Sequence, residues 1–526
     1  MPKVLISDEL SPAAVEIFRS RGIEVDFQPQ LGPDSAKLKE IIGNYDGLAI
    51  RSATKVKSDI IAAATNLKVI GRAGIGVDNV DIPAATAKGI VVMNTPFGNS
   101  ITTAEHAIAL LFAAARQLGA ADASTQAGKW EKNRFMGVEL YAKTLGLIGC
   151  GNIGSLVAER GLGLKMKVIA YDPFLSPERA IEIGVEKVEL DDLLARADFI
   201  SLHTPMTEKT KNILSAENIA KTKKGVIIVN AARGGLVDEV ALRAALESGH
   251  VAAAGFDVFT QEPAKENALF GAPNLVATPH LGASTSEAQE NVALQVAEQM
   301  ADYLISGAVT NALNMPSITA EEAPRLKPFA ALAEKLGMFA GQIVDDDLEA
   351  VEIEYEGHVA AMNVKPLTAA ALAGLLRPML AEVNMVSAPA VLKERGTSMT
   401  ESKREISPTY DSVIRIKVKT GGSWRTVAGA VIAGGPKIVE VKGMSLEAAF
   451  HPLMLYVNNS DKPGFIGALG TMLGEALVNI ATFNLGRVAA GEDAVALVGI
   501  DQTLPDKVLT AIKALPQVRY VRVLAF

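Results

Sequence analysis

The sequence of 526 residues contains only one cysteine, Cys150. An intrachain disulfide is therefore excluded, and a single thiol is typical of a protein in the reducing cytosol. Runs of basic residues are missing, and the net charge of −8 gives no indication of nucleic-acid binding. The first residues lack the apolar core of a signal peptide, and the alanine-rich stretch 103–115 is too short to span a membrane. We therefore expect a cytoplasmic protein with neither a membrane nor a nucleic-acid partner.

Several catalytic signatures are also absent. Cys, His and carboxylate residues do not occur together at the spacing of metal ligands, so we predict no metal site. The sequence contains neither a G-x-S-x-G nucleophile elbow nor a Walker glycine loop. The chemistry must therefore be sought in other motifs.

One such motif is a glycine-rich turn that follows a predicted buried strand. Gly149, Gly151 and Gly154 have the G-x-G-x-x-G spacing, and we expect a helix to begin near Ser155. Asp172 ends the next apolar run, close to the spacing of about 20 residues that a dinucleotide site requires. The glycines let backbone amides approach a pyrophosphate at the helix N-terminus, while the acid accepts hydrogen bonds from ribose hydroxyls and would repel a 2′-phosphate. The sequence therefore predicts NAD as the cofactor.

Strands and helices alternate through the first 316 residues, a pattern that predicts parallel α/β sheets. Within them we predict one long helix over 101–128 and a strand over 255–258. A polar, acidic linker is predicted over 319–324. We predict a flavodoxin-like substrate-binding domain over 1–98 and 286–316, a Rossmann-type doubly wound NAD-binding domain over 99–285, an α+β intervening domain over 317–450 and a ferredoxin-like βαββαβ domain over 451–526.

Ligands of such sheets lie at the carboxyl ends of the strands, and three loops there carry polar residues. Arg233 stands on a glycine turn, Glu262 precedes a proline, and His280 follows the strand 275–277. Together they suit the oxidation of an α-hydroxy acid. An arginine binds a carboxylate or carbonyl oxygen by two hydrogen bonds, a histidine accepts the hydroxyl proton, and a carboxylate fixes the histidine tautomer.

Other residues near these loops have open interpretations. His203 follows a predicted strand and is a reserve candidate for the acid/base, whereas His106 lies in an apolar segment and is expected to be a core residue. Cys150 is interpreted as a small side chain under the cofactor. Because a helix N-terminus can lower the pKa of a thiol, an oxidisable Cys150 is the alternative.

Two arginines of the first domain also follow predicted strands. Arg51 and Arg72 lie beside a glycine-rich turn that includes Gly74. Guanidinium groups and exposed amides suit a doubly charged anion such as a phosphate. The alternative is that both are ordinary loop arginines.

These motifs resemble those of the D-isomer-specific 2-hydroxyacid dehydrogenases. The resemblance rests on residues 71–79, the glycine turn, residues 230–238 and the loops with Glu262 and His280. It implies His280 as the acid/base, Glu262 as its partner, and Arg233 as the ligand of the substrate carboxyl end and the C2 oxygen. It implies substrate contacts by Arg51, Arg72, Gly74, Lys132 and Arg134, the last two possibly across a subunit interface. It implies cofactor contacts by Gly149, Gly151, Asn152, Ile153, Gly154, Asp172, Thr204, Pro205, Ala231, Asp257, Gly282 and Ala283.

The rest of the chain resembles the additional domains of long members of this family. This resemblance rests on residues 383–390 and 394–396 of the intervening region and on a terminal module similar to an ACT domain. This resemblance implies oxidation of 3-phospho-D-glycerate to 3-phosphooxypyruvate, the first step of phosphorylated L-serine biosynthesis, by a homotetramer. It also implies allosteric inhibition by L-serine, bound at a subunit interface through Asn459, Asp461 and Asn479. Asn459 stands where other members have His or Tyr.

Three alternatives remain open from the sequence. The first is another D-2-hydroxyacid dehydrogenase, acting on glycerate, glyoxylate or 2-hydroxyglutarate. The second is a non-catalytic NAD-sensing scaffold. The third is an amino-acid-binding sensor with an inactive dehydrogenase half, which would show ligand binding without turnover.

Overall fold

A computed structural model describes residues 1–344, 347–380 and 383–526. The described chain contains four β-sheets and divides into two compact units. Unit 1 consists of Met1–Arg72, Val77–Asn94 and Val296–Phe526, and unit 2 consists of Ala73–Gly76 and Thr95–Gln295. None of the helices in these ranges is both long and apolar enough to cross a membrane.

The first sheet, in unit 1, has five parallel strands in the order β2-β1-β3-β4-β5, which is the flavodoxin-like order. Strands β3 and β5 are fully buried because helices cover both faces of such a sheet. The elements are β1 (Lys3–Ile6), α1 (Pro12–Ser20), β2 (Glu24–Phe27), α2 (Ser35–Ile41), β3 (Gly47–Ile50), α3 (Ser58–Ala63), β4 (Val69–Arg72), α4 (Ile82–Ala87) and β5 (Val91–Asn94).

The second sheet, in unit 2, has seven parallel strands in the order β12-β11-β10-β9-β6-β7-β8. The order reverses between β6 and β9, and this switch point is where ligands bind in a doubly wound sheet. The elements are α5 (Ser100–Arg116), α6 (Leu118–Gln126), β6 (Thr144–Ile148), α7 (Asn152–Gly163), β7 (Lys167–Tyr171), α8 (Pro177–Glu182), β8 (Glu186–Lys187), α9 (Leu190–Arg196), β9 (Phe199–Leu202), α10 (Ala216–Ala220), β10 (Val226–Asn230), α11 (Glu239–Ser248), β11 (Val251–Phe256) and β12 (Leu275–Ala277). The next helix, α12 (Ser286–Ser306), contains the boundary between the two units, which falls after Gln295.

The third sheet, in unit 1, is mixed: β13 pairs with β14 in parallel, and all the other pairs are antiparallel. Its order is β14-β13-β15-β16-β17-β18. The elements are α13 (Glu322–Gln342), β13 (Leu348–Gly357), α14 (Lys365–Leu376), α15 (Ala388–Glu394), β14 (Ser398–Arg404), β15 (Ser412–Thr420), β16 (Ser423–Ile432), β17 (Gly435–Val441) and β18 (Met444–Ala449).

The fourth sheet, also in unit 1, is antiparallel with the order β20-β21-β19-β22. Its elements are β19 (Leu453–Ser460), α16 (Phe465–Glu475), β20 (Ile480–Arg487), β21 (Asp493–Ile500), α17 (Asp506–Lys513) and β22 (Val518–Ala525). This is the βαββαβ fold, so the predicted fold class is confirmed for the parallel sheets and for the C-terminal module.

Several predicted elements were wrong in detail. The long helix over 101–128 is two helices, because Gln117 has a left-handed backbone (φ 52°) that ends α5 and precedes α6. The strand predicted over 255–258 is Val251–Phe256, and the helix expected near Ser155 begins at Asn152. The linker predicted over 319–324 already contains the first turn of α13, which begins at Glu322. The domain boundaries stay predictions.

Candidate active site

The glycine turn follows β6 at the switch point of the second sheet, and its three glycines differ in their surroundings. A Cβ on Gly149 would lie 2.6 Å from the carbonyl oxygen of His203, and Gly149 has φ +95°. A Cβ on Gly154 would lie 2.3 Å from the carbonyl oxygen of Gly149. By contrast, a Cβ on Gly151 would have no neighbour within 4 Å. Gly149 and Gly154 therefore serve the packing of the turn, whereas Gly151 leaves open space where a pyrophosphate could approach.

Asp172 follows β7 and is tied to the same turn. Its Oδ2 accepts a hydrogen bond of 2.8 Å from the amide of Cys150, and its Oδ1 accepts one of 2.8 Å from the amide of Phe174. Burial and the charge of Asp172 raise the pKa of the Cys150 thiol to about 11. The thiol is therefore protonated at neutral pH, which contradicts the alternative of a thiol activated by the helix N-terminus.

Further residues predicted to bind the cofactor lie at the same edge of this sheet. Asn152 and Ile153 form the first turn of α7, Thr204 and Pro205 follow β9, and Ala231 follows β10. Because β6, β9 and β10 are parallel neighbours, their carboxyl ends meet at one edge. The residues present therefore fit a dinucleotide.

His280 and Glu262 form a pair at the carboxyl ends of β11 and β12. The His280 Nδ1 lies 2.6 Å from the Glu262 Oε2, and the other carboxylate oxygen accepts a hydrogen bond of 3.0 Å from the amide of Phe259. Burial alone would raise the pKa of Glu262, but the hydrogen bonds from His280 and from the Phe259 amide outweigh it and hold this pKa below its usual range. The imidazole therefore has an ionised carboxylate on Nδ1, and Nε2 is the ring nitrogen that does not contact Glu262.

The loop after β12 is attached to Asp257. Asp257 is fully buried, and its carboxylate accepts hydrogen bonds from the amides of Leu281 (2.7 Å) and Gly282 (2.8 Å). The amide of His280 donates to the main-chain oxygen of Asp257 at 2.9 Å, and His280 has a left-handed backbone with φ 57°. Asp257 and Gly282, both predicted to contact the cofactor, thus hydrogen-bond with each other, and Ala283 follows them in the chain.

Arg233 lies on a turn that touches the loop with Glu262. A Cβ on Gly234 would lie only 1.9 Å from the carbonyl oxygen of Phe259, so glycine is required for this close approach. The side chain of Asn230 donates to the carbonyl oxygen of Arg233 at 2.9 Å and accepts from the amide of Ala232 at 3.1 Å. The side chain of Asn230 therefore fixes the conformation of this turn, and the main chain at Gly234 packs directly against the loop that contains Glu262.

In unit 1, Arg51 and Arg72 stand at neighbouring strand ends. Arg51 follows β3, Arg72 ends β4, and the parallel register places Arg72 beside Ile50. Asp8, which the sequence analysis missed, fixes the first of these loops: its buried carboxylate accepts hydrogen bonds from the amides of Arg51 (2.5 Å) and Thr54 (3.1 Å). Burial lowers the pKa of Arg51, and the charges of Asp8 and Glu9 oppose that effect.

The other predicted substrate contacts belong to unit 2. Gly74 has φ 144°, and its amide donates to the hydroxyl of Thr95 at 2.6 Å. Lys132 and Arg134 lie in an exposed single-turn 3₁₀ helix, where Arg134 pairs with Glu131 at 3.0 Å. Both basic residues are therefore on the surface of unit 2.

Two further histidines, His106 and His203, lie near the site. His106 was expected to be a core residue with its hydrogen bonds satisfied; it is largely buried, and its Nε2 lies 3.2 Å from both Asp257 Oδ1 and Thr278 Oγ1. Its spacing within α5 gave no signal of these polar partners. His203 bonds to Ser201 at 2.8 Å, and burial lowers its pKa to about 4. His203 is therefore neutral, and its position beneath the glycine turn gives it a packing role.

The three residues predicted to bind serine are not brought together within one chain. Asn459 is buried near the end of β19, and Asp461 follows it and pairs with Arg487 at 2.8 Å beside a cavity of about 570 Å³. Asn479 precedes β20 and donates to Asp501 at 2.6 Å. Both β19 and β20 are antiparallel to β21, so they run in the same direction. Asn479 therefore lies at the opposite end of the sheet from Asn459 and Asp461.

No group of three or more His, Cys, Asp or Glu side chains in residues 1–344, 347–380 and 383–526 could hold a metal ion.

Comparisons with known proteins identify the family of this chain. The model of the D-isomer specific 2-hydroxyacid dehydrogenase NAD-binding domain matches residues 108–282, and that of the D-3-phosphoglycerate dehydrogenase intervening domain matches residues 325–442. A protein named D-3-phosphoglycerate dehydrogenase from Bacillus subtilis is 40% identical, and the match covers 100% of this chain and 99% of that protein. One with the same name from Mycobacterium bovis is 44% identical, and the match covers 98% of this chain and 97% of that protein. The crystal structure of a glyoxylate reductase from Paecilomyes thermophila is 33% identical with a TM-score of 0.55, and the match covers 59% of this chain and 98% of that one.

The fold and the matched NAD-binding domain thus define an NAD-dependent oxidoreductase of the 2-hydroxyacid class. The relatives that match the full length of the chain identify a narrower group within this class. The chain belongs to the D-3-phosphoglycerate dehydrogenase family.

Proposed function

We propose that this enzyme oxidises 3-phospho-D-glycerate to 3-phosphooxypyruvate, the first step of phosphorylated L-serine biosynthesis. The observation that carries the proposal is the 2.6 Å contact between His280 and Glu262 at the carboxyl edge of a dinucleotide-type sheet. Relatives with this name match nearly the whole chain, including the regions beyond the dehydrogenase core, and they support the choice of substrate.

His280 is the proposed catalytic acid/base. Its Nε2 accepts the proton of the C2 hydroxyl as the C2–H bond breaks and a carbonyl forms at C2. NAD, when bound, accepts the hydride that leaves C2. The ionised Glu262 on Nδ1 fixes the tautomer that leaves Nε2 free to accept, and it stabilises the imidazolium that results. In the reverse direction the same nitrogen returns the proton.

Three arginines are the proposed ligands of the substrate. Arg233 binds the carboxyl end and stabilises the charge on the C2 oxygen, because a guanidinium donates two parallel hydrogen bonds. Arg51 and Arg72 bind the phosphate. Their strands are adjacent and parallel, and the partly buried Arg51 has lost part of its hydration, so an anion would stabilise it. Gly74, Lys132 and Arg134 are proposed as further substrate contacts.

The cofactor is proposed to lie along the edge formed by the glycine turn and the ends of β9 and β10. Gly151, Asn152 and Ile153 would approach the pyrophosphate, and Asp172 would accept from the ribose hydroxyls. Gly149, Gly154, Thr204, Pro205, Ala231, Asp257, Gly282 and Ala283 complete the proposed set.

We also propose that the C-terminal module binds L-serine and inhibits the enzyme. Asp461 beside the cavity suits an ammonium group, and the buried Oδ1 of Asn459 has no hydrogen-bond partner among the described residues. Because Asn479 lies at the other end of the sheet, a site that uses all three residues needs two copies of the chain. A homotetramer in the cytoplasm remains the proposed state.

The test compares phosphorylated and unphosphorylated substrates in arginine variants. We expect Arg51→Gln and Arg72→Gln each to lower kcat/KM for 3-phospho-D-glycerate about 10- to 100-fold, while kcat/KM for D-glycerate changes little, because a charge-assisted hydrogen bond is lost. Arg19→Gln, at an exposed position of α1, is the matched control. An equal loss for both substrates would contradict phosphate binding, and a wild-type preference for D-glycerate or glyoxylate would favour the other hydroxyacid dehydrogenases.

A further inference from the structure

Asp257 connects to the catalytic loop at four points, all within unit 2. Its carboxylate accepts hydrogen bonds from the hydroxyl of Thr278 (2.6 Å) and from the amides of Leu281 and Gly282, and its main-chain oxygen accepts from the amide of His280. A single buried side chain thus holds both sides of His280. These bonds keep His280 in its left-handed backbone conformation, which is uncommon for a residue with a side chain.

His106 approaches this carboxylate from the other side. It lies on α5, which packs against β11 and β12, and its Nε2 is 3.2 Å from both Asp257 Oδ1 and Thr278 Oγ1. Thr278 can give its one proton only to Asp257, so its oxygen is left to accept. His106 therefore donates from Nε2.

The other charged groups around α5 have partners of their own. On α7, Arg160 pairs with Glu105 at 3.3 Å and with Glu159 at 3.7 Å. On α6, Asp122 accepts from Gln126, and β10, β11 and β12 contain no charged residue. In the neighbouring loop, Glu262 bonds to His280. His106 is thus the basic side chain that the described structure places against Asp257.

A fully buried, ionised carboxylate destabilises the folded protein unless a hydrogen-bond donor or a positive charge lies beside it. We propose that His106 is a positioning residue, which keeps Asp257 ionised and thereby locks the loop 278–282 in the conformation that presents His280. The importance of this lock for turnover rests on the proposed function of His280; the lock itself does not.

The lock has a defined pH dependence. Burial would raise the pKa of Asp257, but the hydrogen bonds from His106, Thr278 and the Leu281 amide outweigh it, so this pKa lies below its usual range. A carboxylate with a depressed pKa keeps its bonds above that pKa and loses them as the pH falls through it. Removal of His106 raises the pKa of Asp257, so the loop must open at a higher pH than in the wild type.

Amide hydrogen exchange across the loop 278–284, measured on the cofactor-free full chain, tests the proposal. In His106→Phe we expect exchange at Leu281 and Gly282 to be about tenfold faster or more, with the larger change at about pH 5 than at about pH 8. His106→Gln keeps a hydrogen-bond donor at this position, so it should restore much of the wild-type protection at both pH values. His250→Phe is the matched control, since His250 is also half-buried and bonds to Thr222 at 3.1 Å.

Wild-type protection in His106→Phe at both pH values would overturn the proposal, as would faster exchange spread evenly over unit 2. If His106→Phe does not fold, His106→Ala carries the test: exchange identical to the wild type at both pH values would refute the role of the hydrogen bond from His106 to Asp257. Turnover is measured in the same variants. Lost protection with unchanged turnover would establish the lock and show that turnover does not depend on it, whereas the acid/base role of His280 fails only if His280→Ala keeps wild-type turnover, so the two proposals fail separately.

Discussion

The second and the fourth sheets differ in how they assemble ligand residues that are distant in the sequence. In the seven-stranded parallel sheet, every strand ends at the same edge, so residues that follow β6, β9, β10, β11 and β12 come together. In the four-stranded antiparallel sheet, successive chain segments reach both ends. A parallel sheet thus makes a site within one chain, whereas the C-terminal module leaves its three predicted residues divided between two ends.

The largest effect that would test this comparison comes from His280→Ala. We expect kcat to fall about 10²- to 10⁴-fold, because the proton acceptor is lost. NAD affinity, measured by calorimetry, should stay near the wild-type value, since the glycine turn and Asp172 lie on other loops of the same edge. His250→Ala serves as the control. Wild-type turnover in the first variant would contradict the acid/base assignment.

The glycine turn offers a matched pair of alanine variants. Gly154→Ala should destabilise the protein by about 1–3 kcal/mol, because its Cβ would meet the carbonyl oxygen of Gly149 at 2.3 Å. Gly151→Ala has room and a negative φ of −76°, so its thermal unfolding should match the wild type while NAD affinity falls about tenfold or more. Equal unfolding of the two variants, or wild-type NAD affinity in Gly151→Ala, would count against the assigned division of roles.

Asp172→Ala should narrow the preference for NAD over NADP. We expect NAD affinity to fall about 10-fold, since hydrogen bonds from ribose hydroxyls to a carboxylate are lost, and NADP affinity to change less. Kd values for both cofactors check this. An unchanged ratio would show that Asp172 only accepts from the amides of Cys150 and Phe174.

The smallest effect on basal turnover is expected in the C-terminal module. Asp461→Ala and Asn479→Ala should leave kcat without serine unchanged and weaken inhibition by L-serine to a similar extent, because both residues are proposed to complete one site from two copies. Lys507→Ala, at an exposed position of α17 in the same module, is the control. A loss in only one of the two variants would break the proposed two-copy site.

The sequence predicts the parts of the site that follow strand order. Arg233, Glu262 and His280 could be placed because loops after parallel strands converge whatever their length. His106 and Asp8 could not, because each acts through a hydrogen bond to a residue far along the chain: Asp257 for His106, and the amide of Arg51 for Asp8. The break at Gln117 was missed for a related reason, since a left-handed residue inside an alanine-rich run has no compositional signal.

The most direct test is NADH formation by the wild-type chain from 3-phospho-D-glycerate and NAD, at alkaline pH with the ketone product trapped, with and without L-serine. We predict turnover that serine suppresses. Tight NAD binding without turnover on 3-phospho-D-glycerate would contradict the proposed reaction and would favour another hydroxy acid or a non-catalytic NAD-sensing role.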